Sequence, residues 1–491
     1  MEDSSPPRTY GGWRRSRGVG FFGLGMGGTL TLLGAFIVLI LTAQISPPLL
    51  LWVTPPALLV AAAVLIPVHG EPVGMVLVQR LRWAMSTMQG HNRYKSGVLT
   101  DHPHAFQLPG LLAPLQLKSA SDGLGSDYGV VWNRRTGHLT ATLRVAPSSI
   151  WLADVDEVDT WVANWGNWLS GLGHMPQVLW VAVTVDTAPE AGSVLAERVY
   201  ASLSPEAPER ARDIMTELVH TAPAAAADVE TRVTITFDPG QFPARPKTME
   251  EAIGEVGHSL SQLETSLAGC GVAVVGRASA AQVAAAVRVA FDPDARGPVD
   301  QALDENPDHV IWEDAGPIGA HEHARHYEHS GALSVSWAWN EAPRQNVQSQ
   351  ILAGLLSPTR DPKRVTLFYR AYSAQNAARI LESEVNAADF RAAVRSQQGR
   401  DESARDAVDQ ARARQAAQEE AAGAGVSLMT VYATVTVTDP EQLPRAVAEM
   451  EASAETCKIR LRRLYHSQAA GFAATLPCGI FPPALAYELR N

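Results

Sequence analysis

Cysteine is scarce: Cys270, Cys457 and Cys478 are the only three in 491 residues. An odd number, mostly far apart, excludes a dense disulfide framework and cannot furnish a four-cysteine zinc site. Such a count suits reducing cytosol for most of the chain. Positive charge is also in deficit, with 40 Lys and Arg against 51 Asp and Glu, a net charge of −11. That balance argues against a general nucleic-acid coat, which needs an excess of phosphate-neutralising cations. The usual catalytic signatures are missing as well. There is no G-x-x-x-x-G-K-[ST] phosphate cradle, no G-x-S-x-G nucleophile elbow and no H-E-x-x-H metal pair. The glycines between Gly23 and Gly28 lie inside an apolar run, so they read as close helix packing rather than dinucleotide binding. With 46% hydrophobic and 19% charged residues, wholesale disorder is excluded. The length accommodates about three domains.

The most informative absence is local. Residues 18–70 contain no Asp, Glu, Lys or Arg. Crossing roughly 30 Å of hydrocarbon takes about 20 apolar residues, and this stretch holds two such runs, at about 20–45 and 49–68. Ser46-Pro47-Pro48 between them permits only a tight hairpin. Arg8, Arg14, Arg15 and Arg17 precede the first run, while Arg80, Arg82, Arg93 and Lys95 follow the second. Positive residues on both flanks place both termini in the cytoplasm. The expectation is a two-pass transmembrane hairpin, residues 20–69, in the cytoplasmic (inner) membrane, after a cytoplasmic N-terminal segment, 1–19. Core helices of soluble proteins rarely go so long without a charge, and a signal peptide would be shorter and single. Trp13 and Trp52 suit the membrane interfaces, and Pro55-Pro56 is expected to kink the second helix.

Beyond the anchor, helical and strand patterns alternate. Residues 70–127 read as a membrane-proximal linker. It begins with an amphipathic stretch (Val73, Val76, Leu77, Leu81, Ala84) and passes into an irregular Leu- and Pro-rich segment, 108–117. A β-hairpin is predicted with arms at 128–132 and 138–145. Helices are predicted over 154–172, much of 188–221, 249–267 and 280–291, and strands over 177–186, 231–238 and 271–276. A similar plan follows: strands at 332–339 and 364–372, a charged helical region at about 374–422, a strand at 429–438, a helix at 441–455 and a strand at 458–464. The fold class is therefore α+β. A transmembrane helical hairpin leads into two related cytoplasmic subdomains, 128–330 and 331–491, the second with a charged helical arm inserted.

The densest polar cluster is His321-Glu322-His323-Ala324-Arg325-His326-Tyr327-Glu328-His329. No two of its histidines stand at i, i+4. His323, His326 and His329 recur at i, i+3, i+6 and would share much of a helical face. Three imidazoles there could bind zinc, but Arg325 disfavours a cation, and solvated polar residues ahead of a strand are the expected reading. No metal ligand is assigned. Lys458, Arg460, Arg462 and Arg463 form a compact basic cluster, expected to be solvated on an edge strand rather than to hold DNA or anionic lipid. Arg405 and Asp409 carry opposite charges at helical spacing, which suits a solvated helical hairpin or a coiled-coil arm that grips a partner. Trp161, Trp165, Trp168, Trp312, Trp337 and Trp339 lack an interleaved basic stripe and are expected to fill cores. Asp292, Asp294 and the scattered glutamates show no acid/base spacing, so no catalytic residue and no cofactor is assigned.

Several short segments carry a resemblance. They are Tyr10-Gly11-Gly12-Trp13-Arg14, Leu108-Pro109-Gly110-Leu111-Leu112-Ala113-Pro114-Leu115, Phe291-Asp292-Pro293, residues 322–332, Pro343-Arg344 and Leu461-Arg462-Arg463-Leu464-Tyr465, followed by Gln468, Phe472 and Leu476-Pro477. In this order they resemble an actinobacterial membrane-protein family of type IV, conjugation-type secretion. Its members look like a small two-helix membrane subunit fused to the non-ATPase N-terminal region of the secretion ATPase. In those ATPases a comparable Leu-Pro region leads toward the nucleotide-binding domain, whereas here about fifteen residues follow it. The resemblance implies a non-catalytic scaffold that docks a separate ATPase. Expected partners are that ATPase, other membrane subunits of the same machine, membrane lipid and further copies of the chain, with no specific nucleic-acid site. A membrane component of type VII secretion, or a membrane-tethered metal-dependent enzyme using the histidine cluster, are the alternatives.

Overall fold

The computed structural model describes residues 9–11, 13, 26–68, 71–96, 107–121, 127–149, 153–189, 199, 200, 202–204, 207–221, 227–341, 343, 345–397, 404–421, 423 and 425–488. Two apolar helices come first. Helix α1 (Met26–Ile45) and helix α2 (Leu50–Leu65) are joined by one 3-10 turn, Pro47–Leu49, and pack against each other. Both are long and apolar enough to cross a membrane, and no described residue in either is buried. Helix α2 runs on through Pro55 and Pro56, where the Thr54 hydroxyl donates to the Leu50 carbonyl at 2.6 Å. A minimal strand pair, β1 (Pro67–Val68) and β2 (Glu71–Pro72), turns the chain into α3 (Val73–Met88).

Among the described residues, the rest is built on one antiparallel sheet of 13 strands. In chain order these are β3 (Arg93–Lys95), β4 (Leu115–Ser121), β5 (Asp127–Asn133), β6 (Leu139–Pro147), β7 (Val178–Pro189), β8 (Ala227–Phe237) and β9 (Val272–Arg277). They continue as β10 (Gly319–Glu322), β11 (Tyr327–His329), β12 (Ala332–Glu341), β13 (Lys363–Ala371), β14 (Ser427–Val437) and β15 (Arg460–Arg463). Spatially the order is β3-β10-β11-β12-β14-β13-β7-β8-β6-β5-β4, with β15 attached to β12 and β9 to β6.

Leaving β3 aside, that order is palindromic about the central β13–β7 pair. Strands β8, β6, β5, β4 and β9 on one side correspond to β14, β12, β11, β10 and β15 on the other. The turns repeat too. Asp238-Pro239-Gly240-Gln241-Phe242-Pro243 follows β8, and Asp439-Pro440-Glu441-Gln442-Leu443-Pro444 follows β14. Each aspartate caps a 3-10 turn by accepting a 2.9 Å bond, from the Gly240 and Glu441 N–H groups respectively. Each turn leads to a helix, α6 (Met249–Leu267) and α12 (Leu443–Thr456). The two halves thus share a plan, but they form one continuous sheet, because β13 pairs with β7 from Lys363↔Thr187 to Tyr369↔Val181. Residues 319–329, placed within 128–330 from the sequence, form β10 and β11 in the second half of the sheet, and residues 115–121, placed in the linker, form β4 in the first.

One face of the sheet is apolar. Helix α4 (Val155–Leu172) and α6 cover Leu143, Val181, Val233, Ile235 and Phe237 with Trp168, Val256, Leu260 and Leu263. Helix α12 and the short α9 (Ala353–Leu356) cover Val335, Trp337, Val431 and Val435. The reverse face carries buried hydroxyls in cross-strand pairs. These are Thr140–Thr236 (3.1 Å), Thr142–Thr234 (3.2 Å), Thr184–Thr366 (2.9 Å), Ser336–Thr434 (2.9 Å) and Ser334–Thr436 (2.8 Å). Each hydroxyl both donates and accepts, so facing pairs satisfy one another where water is excluded.

Helix α7 (Ala280–Phe291), α13 (Gln468–Ala474) and residues 475–481 close over this polar face. Gly129 lets the start of α7 approach β5, since a Cβ there would come within 2.9 Å of the Ala280 Cα. The remaining helices are α8 (Arg296–Glu305), α14 (Pro482–Glu488), α5 (Glu209–Thr221) between β7 and β8, and the pair α10 (Ala374–Gln397) and α11 (Ala404–Ala421) between β13 and β14. The charged region of 374–422 is therefore a helical pair whose members pack on each other.

Candidate functional site

Helix α3 links the apolar helix pair to the histidine cluster at one edge of the sheet. Helix α3 starts against α2, where a Cβ on Gly74 would lie 3.2 Å from the Ala63 carbonyl oxygen. Its apolar residues Met75, Leu77, Val78, Leu81, Met85 and Met88 are exposed, an apolar surface of the kind that lies in a membrane interface. Trp83 packs instead on His466, with ring centroids 4.9 Å apart. Strand β3 follows at once and pairs with β10, Tyr94 opposite Ala320 and Arg93 opposite His321. The amphipathic stretch thus delivers the chain to the strand that holds the first histidine of the cluster.

The cluster is a β-hairpin, not a helix, so the predicted shared helical face of His323, His326 and His329 does not exist. Strands β10 and β11 pair with His321 opposite Glu328, Ala320 opposite His329 and Glu322 opposite Tyr327. Alternation then sorts the side chains. His321, His323 and Glu328 fall on the outer face, whereas Tyr327 and His329 are buried. Glu322 points inward and accepts a 3.0 Å bond from the Ala469 N–H at the start of α13. Burial nonetheless pushes its carboxyl up from the ordinary range, against the pull of the Ala469 and Gln468 N–H groups.

His329 is fully buried. Its Nδ1 lies 2.6 Å from the Phe291 carbonyl and its Nε2 lies 2.7 Å from the Ser334 hydroxyl, which in turn meets Thr436. The carbonyl can only accept, so Nδ1 carries the proton and Nε2 accepts from Ser334. Burial, with Arg364 nearby, holds the imidazole pKa down to about 3, despite the opposing Phe291 bond. This neutral Ser–His pair is sealed under Phe291 and Phe472 and serves to lock the hairpin to the sheet.

The outer face is different. His323 Nε2 is 3.1 Å from Glu328 Oε2, and one ligand atom from each of His321, His323 and Glu328 lies within 4.8 Å of the others. The His321 and His323 rings are 3.9 Å apart, and His326 stacks on His323 at 4.4 Å. Asn92 donates to His321 Nε2 at 3.0 Å and to the Glu322 carbonyl at 3.2 Å. Partial burial and the neighbouring His323 and Arg93 keep the His321 pKa below that of a free imidazole. The corresponding positions in the first half, by sheet register, are Gln116 and Trp132.

The other residues singled out in the sequence have structural surroundings. Arg463 is half-buried and donates to the Arg325 carbonyl at 2.7 and 3.1 Å, so it ties β15 to the histidine hairpin. Trp168 and Trp337 are buried, donating to the Leu263 carbonyl and to Glu451 respectively, and Trp312 donates to the Leu115 carbonyl. Trp165 stacks on Trp168 at 5.0 Å. Asp292 pairs with Arg288 at 3.4 Å. The side chains of Arg405 and Asp409 lie outside the described residues, as do Gly12, Arg14 and Arg344.

One charged group was missed in the sequence. Asp186 of β7 is buried beside Arg232 (2.5 Å) and Arg296 (3.5 Å), with Arg364 directly across the strand pair. Burial alone would raise its pKa, but these three cations hold it below the ordinary carboxylate range. Burial also pulls Arg364 down to about 10. The signal was present as one charge in each of three strands, at positions that alternate with Val and Ile.

No protein-family model matches the chain, and no curated protein matches it either.

Proposed function

We propose that this chain is a membrane-anchored scaffold of a conjugation-type (type IV) secretion machine, without chemistry of its own, and that it docks a separate secretion ATPase. The observation that carries the anchor is the α1–α2 pair: two membrane-length apolar helices joined by one 3-10 turn, with no buried described residue. A soluble protein would hide such a pair, because exposing it to water costs roughly 25 cal/mol per Å² of apolar surface. The arginines on both flanks support a body on the cytoplasmic side. The short segments that resemble those of the secretion family support the rest. The continuous sheet suits a rigid platform, and the α10–α11 pair, inserted between two central strands, extends its surface.

Crosslinking in native membranes, affinity purification and mass spectrometry test this reading. Recovery of a P-loop ATPase with conjugation-type subunits is the expected result. Type VII components would replace it with the rival machine on the same anchor. A monomer without partners would overturn scaffolding altogether.

A further inference from the structure

We propose that His321, His323 and Glu328 form a binding site for a single divalent transition-metal ion of the zinc type, stapling β10 to β11 at the edge reached by α3. Backbone register places the three ligands together. His321 stands directly opposite Glu328, and His323 follows two residues later, so alternation brings it back to the same face. The His323–Glu328 hydrogen-bond separation of 3.1 Å is close to the roughly 3.3–3.4 Å between neighbouring ligands of a tetrahedral ion with bonds of about 2.0–2.1 Å. Small side-chain rotations suffice to close the site, since the three ligand atoms span at most 4.8 Å.

Two imidazoles and one carboxylate are the donor set that zinc takes when a coordination position stays open. Ligation through His321 Nε2 displaces the Asn92 amide, which keeps its bond to the Glu322 carbonyl. His326, stacked on His323, restricts the rotation of that ring. The charges facing the site are mixed. Glu328 supplies one negative charge, while Arg93 and Arg325 lie on the neighbouring strand and on the hairpin turn. Those arginines lower the affinity for any cation, and the two imidazole nitrogens disfavour hard cations such as magnesium, which need oxygen ligands. The remainder of the hairpin is already fixed by Glu322 on the α13 N-terminus and by His329 in the core, so the ligands are held on a rigid support.

The test uses the full chain, expressed without a polyhistidine tag and purified in detergent. It compares wild type with a His321→Ala/His323→Ala variant and with His138→Ala, a histidine remote from the hairpin. Dialysis against Zn2+ followed by elemental analysis should leave stoichiometric zinc on wild type and on His138→Ala, and none above background on the double variant. Added Co2+ should give the visible absorption of a four-coordinate ion in wild type and in His138→Ala, but not in the double variant. Excess EDTA should remove the metal from wild type and abolish the Co2+ absorption. Circular dichroism should show that the variant is folded, because the replaced side chains lie on the outer face. Wild type holding no more zinc than the folded double variant would overturn the proposal. So would a zinc content that falls equally in His138→Ala.

Discussion

Thr184 and Thr366 share a 2.9 Å hydroxyl hydrogen bond between the two strands at which the halves of the sheet meet. Two further Thr/Ser pairs flank it on either side, so the buried polar face continues across the join. Thr184→Val leaves the Thr366 hydroxyl buried without this partner, at a cost of about 1–3 kcal/mol. Thr184→Val/Thr366→Val removes donor and acceptor together and should cost less than either single change. A double-mutant cycle on unfolding free energies in detergent reads this coupling directly. Additive single losses would show that the pair is not coupled.

Asp186→Asn removes the negative charge that Arg232, Arg296 and Arg364 surround. Breaking a buried pair in this way typically costs about 3–5 kcal/mol, because the partner charge stays buried. The Asp186 carboxylate has a depressed pKa in the fold, so its stabilisation is complete above about pH 4 and fades as pH falls further. Chemical denaturation at neutral and acidic pH should therefore show the variant losing most relative to wild type at neutral pH.

His329 makes a second, separable acid sensitivity. It is neutral in the fold down to about pH 3, whereas an unfolded histidine takes up a proton near pH 6.5. The unfolded state thus binds more protons below that value. Stability should fall as pH drops from about 6.5 toward 3, with a slope approaching 1.4 kcal/mol per pH unit from this group. His329→Gln should flatten the slope by that amount, measured by denaturant unfolding between neutral pH and pH 5. An unchanged slope would mean that His329 is protonated in the folded protein.

Ile37→Arg tests the anchor. An arginine at the centre of a membrane-spanning helix raises the insertion free energy by about 2.5–3.5 kcal/mol. Carbonate extraction should then release more of the variant than of wild type, while the same change at exposed Ile318 should not alter the membrane fraction. Equal retention of both variants would argue against α1 as a span.

Helices α6 and α7 were legible because their apolar residues recur on one face and Thr248 and Ser279 mark their starts. Each side chain accepts from the N–H three residues on, and Ser279 with Gln282 completes a capping box. The histidine hairpin was not legible, because strands of three or four residues leave too short a pattern to fix a period. Spacing of i, i+3, i+6 suggested one face, whereas a period of two sends His329 inward and His323 outward. The cue lay in Ser330-Gly331, the two-residue turn from β11 into β12, whose φ values of 44° and 84° mark β11 as a strand. The hydroxyl face was hidden for another reason. Alternating Val and Thr reads alike whether the threonines meet water or a second layer of structure. The repeated Asp-Pro-x-Gln turn was visible in the sequence and, with its following helix, marks the equivalence of the halves better than overall identity does.

Pairing of β3 with β10 also imposes a timetable on synthesis. Tyr94 and its partner Ala320 are 226 positions apart (320 − 94). At about 5–20 residues per second, β3 leaves the ribosome roughly 10–45 s before its neighbour exists. The two apolar helices are complete before that interval begins. With the hairpin inserted as proposed, the nascent body would fold back onto a strand that is already moored.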